Sequence, residues 1–173
     1  MAIRSIITAP DSRLKVKSAA VAEIDDRVHQ LIDDMFETMY AAPGIGLSAI
    51  QIGVPERVVV IDVAREDDPV GPLALVNPEI LWSAEETMSY EEGCLSLPDQ
   101  FAEINRAATI EVRYLDRQGE IRTEKVDGVH AACLQHEIDH LSGKLFVDYL
   151  SSIKRNIILR KLAKMRRLAE VPA

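Results

Sequence analysis

No run in this chain approaches the roughly 18 consecutive apolar residues that a membrane-spanning helix needs, so no span is expected. Residues 1–17 lack the apolar core of a secretory leader, because Arg4, Asp11, Arg13, Lys15 and Lys17 interrupt them. Cysteine is scarce. Cys94 and Cys133 are the only two, too few for a disulfide framework, and a working thiolate favours a reducing compartment. A cytoplasmic protein is expected. Internal repeats, low-complexity tracts and linkers are also missing, so residues 1–173 read as a single domain with a basic helix at about 152–169. What is present is ordinary for a folded chain: 47% hydrophobic and 28% charged residues argue against disorder.

Charge is unevenly spread. Residues 153–173 hold seven basic side chains (Lys154, Arg155, Arg160, Lys161, Lys164, Arg166, Arg167) against Glu170, a net +6. The whole chain is −8, which leaves −14 on the preceding residues. An acidic body discourages nucleic-acid binding in general, and no sequence-specific binding is expected. The basic tail alone suits a polyanion.

Periodicity gives the architecture. Ile24, Val28, Leu31, Ile32, Met35, Phe36 and Met39 recur at helical spacing, predicting an amphipathic helix over about 22–41 that stops before Pro43. His29 within it reads as a surface residue. The β-branched run 57–63 predicts a buried strand, and 73–81 a second, with Pro78 forcing an edge or bend. Ile110, Val112 and Tyr114 alternate with polar residues, a turn follows at 116–119, and 121–126 returns as a hairpin. Ile153, Ile157, Ile158, Leu162 and Met165 predict a last helix beginning near Ser151 or Ser152. Strands gathered between helices indicate an α+β fold, with antiparallel or mixed strands around a central helix.

That central helix carries the chemistry. Gln135-His136-Glu137-Ile138-Asp139-His140 sets two imidazoles at i and i+4, on one helical face, where both can grip one metal ion. Asp127 or Gly128 can cap its start, and Gly143 can stop it. Glu137 can face a water on the metal without being a ligand, and such a water is acidified towards neutrality. This is equipment for hydrolysing a carbonyl compound.

A third ligand is needed. Six residues after His140 a metzincin would place another histidine, but Phe146 stands there and cannot bind metal. The only glutamate beyond the motif is Glu170, three residues from the chain end, a poor place for a rigid ligand. Cys133 shares the helix, about 10 Å along its axis from His140, which would string three ligands almost in line. Cys94, in the separate Gly- and Pro-bounded segment 92–98, is the better choice.

Three segments together resemble the peptide deformylases over essentially the whole chain. They are Gly44-Ile45-Gly46-Leu47-Ser48-Ala49-Ile50-Gln51, then Glu92-Gly93-Cys94-Leu95-Ser96, then Gln135-His136-Glu137-Ile138-Asp139-His140-Leu141-Ser142-Gly143. Ser48 stands for an alanine of the family pattern, and Phe101 for an arginine that in many bacterial members helps hold the peptide. The resemblance implies removal of the formyl group from formyl-methionyl chains, with Glu137 as proton carrier. It implies Gln51 and the backbone N–H of Leu95 as donors to the oxyanion. By motif position Ile45, Tyr90, Val129, Cys133 and His136 line a methionine pocket, with Glu92 and Gly93 near its mouth. The backbone around Ile45 and Gly46 is open to an extended peptide, because glycine permits close approach. The resemblance also implies Fe²⁺ as native ion, with Zn²⁺, Ni²⁺ or Co²⁺ as substitutes, a monomer, and docking of the C-terminal helix on the ribosome. Two rival functions are a zinc endopeptidase and a catalytically silent ribosome-associated binding protein. The absence of a downstream third ligand and the presence of Cys94 speak against the first, and retention of Cys94, His136, His140, Glu137 and Gln51 together speaks against the second.

Overall fold

Val58, Val59, Val60 and Ile61 are all almost completely buried, which an isolated sheet with one wet face does not allow. The computed structural model, which describes residues 2–64 and 71–170, shows why. Its helices are α1 (Asp26–Ala41), α2 (Gly128–Leu141) and α3 (Ser152–Glu170). Its strands are β1 (Gly46–Ser48), β2 (Val58–Ile61), β3 (Leu73–Ser83), β4 (Thr87–Cys94), β5 (Leu97–Ala107), β6 (Thr109–Leu115) and β7 (Ile121–Asp127). Five strands form one sheet in the order β1-β2-β3-β6-β7, every pair antiparallel, and β4 and β5 form a separate hairpin.

Side chains alternate across a strand, so β2 serves two cores. Val58 and Val60 join Leu31, Ile32, Met35 and Met39 of α1, while Val59 and Ile61 join Ala131, Cys133 and Leu134 of α2. The same alternation governs β1: Leu47 packs with the α1 cluster, which turns Gly46 and Ser48 towards α2. A third cluster, built on Leu97, Ile104, Phe146, Val147 and Leu162, ties the β4–β5 hairpin to the chain after α2 and to α3.

Local chemistry explains the boundaries. Helix α1 begins at Asp26 because the Asp25 carboxylate accepts from the Val28 N–H at 3.1 Å, four residues later than periodicity alone predicts. On its buried face Asp34 accepts from the Ala2 N–H and from the Arg4 and Gln30 side chains, pinning the N-terminal segment. Around Pro78, strand β3 slips register against β6 between Val76 and Glu79, and Asn77 takes φ +52° while its amide pairs in both directions with the Val21 backbone. The expected hairpin is present as β6 and β7, with the Asp116 carboxylate accepting from the N–H groups of Gln118 and Glu120 in the turn. Helix α3 differs from its expected stripe: Leu162 is buried, but Ile153, Ile157 and Met165 stay exposed, as does Leu168 beyond them.

Candidate active site

Helix α2 brings His136 and His140 onto one face, and the tip of the β4–β5 hairpin brings Cys94 against them. Cys94 Sγ lies 3.4 Å from His140 Nε2, and the two Nε2 atoms are 3.3 Å apart. One ligand atom from each of the three residues falls within 4.8 Å of the others. Two nitrogens held about 2.0 Å from one ion at a tetrahedral angle would stand about 3.3 Å apart, so the donor set fits a four-coordinate metal. Burial, then the charge of neighbouring His136, pushes His140 well below the ordinary imidazole range, leaving it a neutral ligand. Cys133 is not in this group. Its buried thiol faces the Ile45 carbonyl at 3.8 Å, and burial raises its pKa well above the usual value, so it behaves as an apolar wall residue.

Glu137 sits beside the donors, its Oε1 4.0 Å from His136 Nε2. Burial pushes its carboxyl pKa up, with the His136 charge and the Ser48 hydroxyl opposing, which moves it towards the range a general base needs. Ser48 Oγ lies 2.8 Å from both Glu137 Oε2 and the Glu137 carbonyl. Gly46 meets the same side chain: a Cβ there would stand 2.7 Å from Glu137 Oε1 and 3.0 Å from Cys133 Sγ. Only glycine leaves that space free. Gln51 lies in the short helical turn Ala49–Ile52, with its Oε1 accepting from the Ser48 N–H at 2.9 Å. Its Nε2 donates to Ser96 Oγ at 3.0 Å and lies 3.6 Å from Cys94 Sγ, beside the metal donors.

A cavity of about 790 Å³ opens onto this group. Ile45, Gly46, Tyr90, Glu92, Gly93, Leu95, Val129, Cys133, His136 and Glu137 all line it, as does Phe101. Phe101 is 63% exposed, and its ring lies over Gly93, where a Cβ would stand 2.6 Å from it. Glu92 lines this cavity, as its motif position implies, but its carboxylate is already engaged. Only 9% exposed, its carboxylate accepts from His136 Nδ1 at 2.8 Å and from Arg106 at 2.7 and 2.8 Å. Burial would raise the Glu92 pKa, but Arg106 and then His136 hold it below the ordinary carboxylate range. Glu92 thus orients the imidazole and fixes which ring nitrogen faces the metal position.

Sequence reasoning missed Arg106, Asp139 and Ser96. Arg106 is 4% exposed and also donates to Asp139 at 2.6 Å, so it bridges β4 to α2. Arginine ordinarily marks a surface, and nothing local in the sequence signals this burial. Phe146 packs its ring 6.3 Å from that of His136, centroid to centroid, near parallel.

A family model described as polypeptide deformylase matches residues 3–156. The peptide deformylase of Phenylobacterium zucineum is 52% identical over 169 residues, covering 98% of this chain and all of that protein. That of Rhizorhabdus wittichii is 53% identical over 172 residues, covering 96% and 97%. Among solved structures, the Ehrlichia chaffeensis peptide deformylase in complex with actinonin superposes with a TM-score of 0.92 at 43% identity, covering 96% of this chain and 99% of that one. The Legionella pneumophila peptide deformylase gives 0.89 at 46% identity, covering 99% and 100%. On sequence and fold alike, this chain belongs to the peptide deformylase family.

Proposed function

We infer that this chain is a metal-dependent hydrolase that removes the formyl group from the N-terminal formyl-methionine of nascent polypeptides, releasing formate. The observation that carries the reading is the convergence of Cys94, His136 and His140, with Glu137 alongside, at an open cavity that Cys94, His136 and Glu137 line. When bound there, a divalent ion supplies Lewis acidity to the formyl oxygen and acidifies water.

The chain's own groups do the rest. Glu137 accepts the proton of the attacking water and later delivers it to the departing amine, acting in turn as base and acid. Gln51 Nε2 and the Leu95 backbone N–H donate to the oxygen as it becomes negative, and loss of such a donor costs about 3 kcal/mol. Among the described residues no strand pairs with the outer edge of β1, which supports main-chain pairing with an extended peptide at Ile45 and Gly46. Such pairing tolerates varied sequences, as an enzyme acting on many nascent chains requires. Tyr90, Val129 and Cys133 form an apolar wall for the methionine side chain, with Glu92 and Gly93 bordering the same cavity.

Fe²⁺ is the native ion in this reading, with Zn²⁺, Ni²⁺ and Co²⁺ as substitutes; one thiolate and two imidazoles accommodate all four. Metal analysis after purification without oxygen, paired with the activity of each reconstituted form, tests that assignment. Formate release from a formyl-methionyl peptide, against an acetylated control and an unmodified protein, tests the activity. Cleavage of the protein and not of the formyl peptide would favour an endopeptidase.

The whole chain acts as one catalytic domain, a monomer in the cytoplasm, with α3 as its basic appendage. No described helix is long and apolar enough to cross a membrane. The exposed Ile153, Ile157, Met165 and Leu168, set among lysines and arginines, support docking of α3 on the ribosome. Phosphate contacts make such binding strongly salt-dependent. Co-sedimentation with ribosomes at low and moderate salt should be lost on truncation from Arg160 onward while peptide activity persists; equal sedimentation would refute docking.

A further inference from the structure

Arg106 joins the two halves of the metal centre. Its guanidinium holds Glu92, two residues before Cys94 on β4, and Asp139, the residue before His140 on α2. The thiol and the imidazoles come from different elements, so this clamp sets their separation. Its side chain is 3% exposed, and the ring of Tyr149 packs against it. The Tyr149 ring centroid lies 4.8 Å from the Arg106 Cζ, and its hydroxyl donates at 2.7 Å to Asp139 Oδ2. That same oxygen accepts from Arg106 at 2.6 Å. Lys144 Nζ lies 4.0 Å from the ring centroid.

We propose that Tyr149 is a positioning residue for the metal centre: ring and hydroxyl together seal and align the Arg106–Asp139 pair, and through Glu92 that alignment fixes His136. Two physical effects act together. A guanidinium over an aromatic face is attracted by the ring, more strongly where water is excluded. A charge-assisted hydrogen bond to Asp139 holds the carboxylate in line for Arg106. Removing the ring admits water to the clamp, and the His136–Glu92 bond then competes with solvent. A tyrosine that merely fills surface space would leave the metal's behaviour unchanged.

The proposal rests on the reading of Cys94, His136 and His140 as metal ligands, and the test separates the two. The full chain is loaded with Co²⁺, whose visible bands report ligand geometry, and release to excess chelator is timed. Loss of a group supporting a metal ligand costs about 10- to 100-fold in affinity. Arg106→Met should accelerate release within that range, Tyr149→Ala by about tenfold, and Tyr149→Phe, which keeps the ring, by less. The Co²⁺ bands should shift in Tyr149→Ala. Adding Tyr149→Ala to Arg106→Met should produce no further acceleration, because the clamp it serves is gone. Tyr149→Phe carries the test alone should the alanine variant fail to fold: release at the parent's rate and unshifted bands would overturn the proposal. So would Tyr149→Ala within twofold of the parent, or effects of the two substitutions that multiply. A parent chain that took up no Co²⁺ would instead overturn the metal-site reading itself.

Discussion

Replacing Gly46 by alanine tests whether the placement of Glu137, rather than its presence alone, sets the rate. The added Cβ would stand 2.7 Å from Glu137 Oε1 and 3.0 Å from both Glu137 Cγ and Cys133 Sγ. Ordinary contacts begin near 3.4 Å, so the carboxylate must retreat by about 0.7 Å. A free glutamate tip would do so easily. This one is buried and held by Ser48 at 2.8 Å, so the move either stretches that bond or drives the side chain off its rotamer. An off-rotamer side chain costs about 0.5–1.5 kcal/mol, and overpacking a core about 1–3 kcal/mol. A stability loss of about 1–2 kcal/mol follows from these ranges. A misplacement near 1 Å can cost about a hundredfold in rate, so kcat should fall roughly 10- to 100-fold. Metal content should stay stoichiometric, because no donor atom is displaced. The assay is formate release under saturating peptide, with metal analysis and denaturant unfolding of the same preparation. A Gly46→Ala protein with parental kcat would refute the reasoning, and so would one whose lost activity followed lost metal.

Cys94→Ala should abolish stoichiometric metal binding and Cys133→Ala should not, as metal analysis of both would show; the reverse pattern would exchange their roles. Glu137→Ala should keep its metal yet lose kcat by about 100-fold or more, in line with a lost general base, whereas activity within a few-fold of the parent would sink the proton-carrier role. Burial would raise the Asp34 pKa, but bonds from Arg4, Gln30 and the Ala2 N–H hold it below the ordinary carboxylate value. Its stabilisation is therefore complete above about pH 4 and lost as pH falls through the lower folded value. Asp34→Asn should be less stable than the parent at pH 7 and show a shallower fall in Tm below about pH 4, and parallel Tm curves would remove Asp34 from the acid response.

Where apolar side chains repeat with a clear period, the sequence was readable. Helix α1 and strand β6 show it, the unbroken β-branched run of β2 and the turn leading into β7 were legible beside it, and Pro78 marked a bend that the structure realises at Asn77. The β4–β5 hairpin was not readable. Its strands alternate between exposed and half-buried residues for most of their length, so glutamate, serine and asparagine hide the strand period. Segment 92–98 stood out only by its Gly and Pro boundaries, and the structure makes it the tip of that hairpin. Within the site, His136, Glu137 and His140 could be grouped by helical spacing, and Cys94 by elimination. Arg106 could not, because the carboxylates that permit its burial lie 14 and 33 residues away along the chain. Glu92 was legible by motif position but not by contact: only the fold shows that His136 and Arg106 occupy its carboxylate.

The separation of β4–β5 from the main sheet has a consequence for hydrogen exchange. Amides of β2, enclosed by α1 on one side and α2 on the other, should exchange only when the whole molecule opens. Those of the hairpin, held through the third cluster, the turn beyond α2 and the polar bridges from Glu92 and Arg106 to α2, should exchange through a smaller opening with a lower free energy. Cys94 travels with the hairpin and the two histidines stay with the main core. The chain can then unhook one ligand of three without unfolding, and the protection of β4 amides, more than the melting temperature, should track how long the centre keeps its ion.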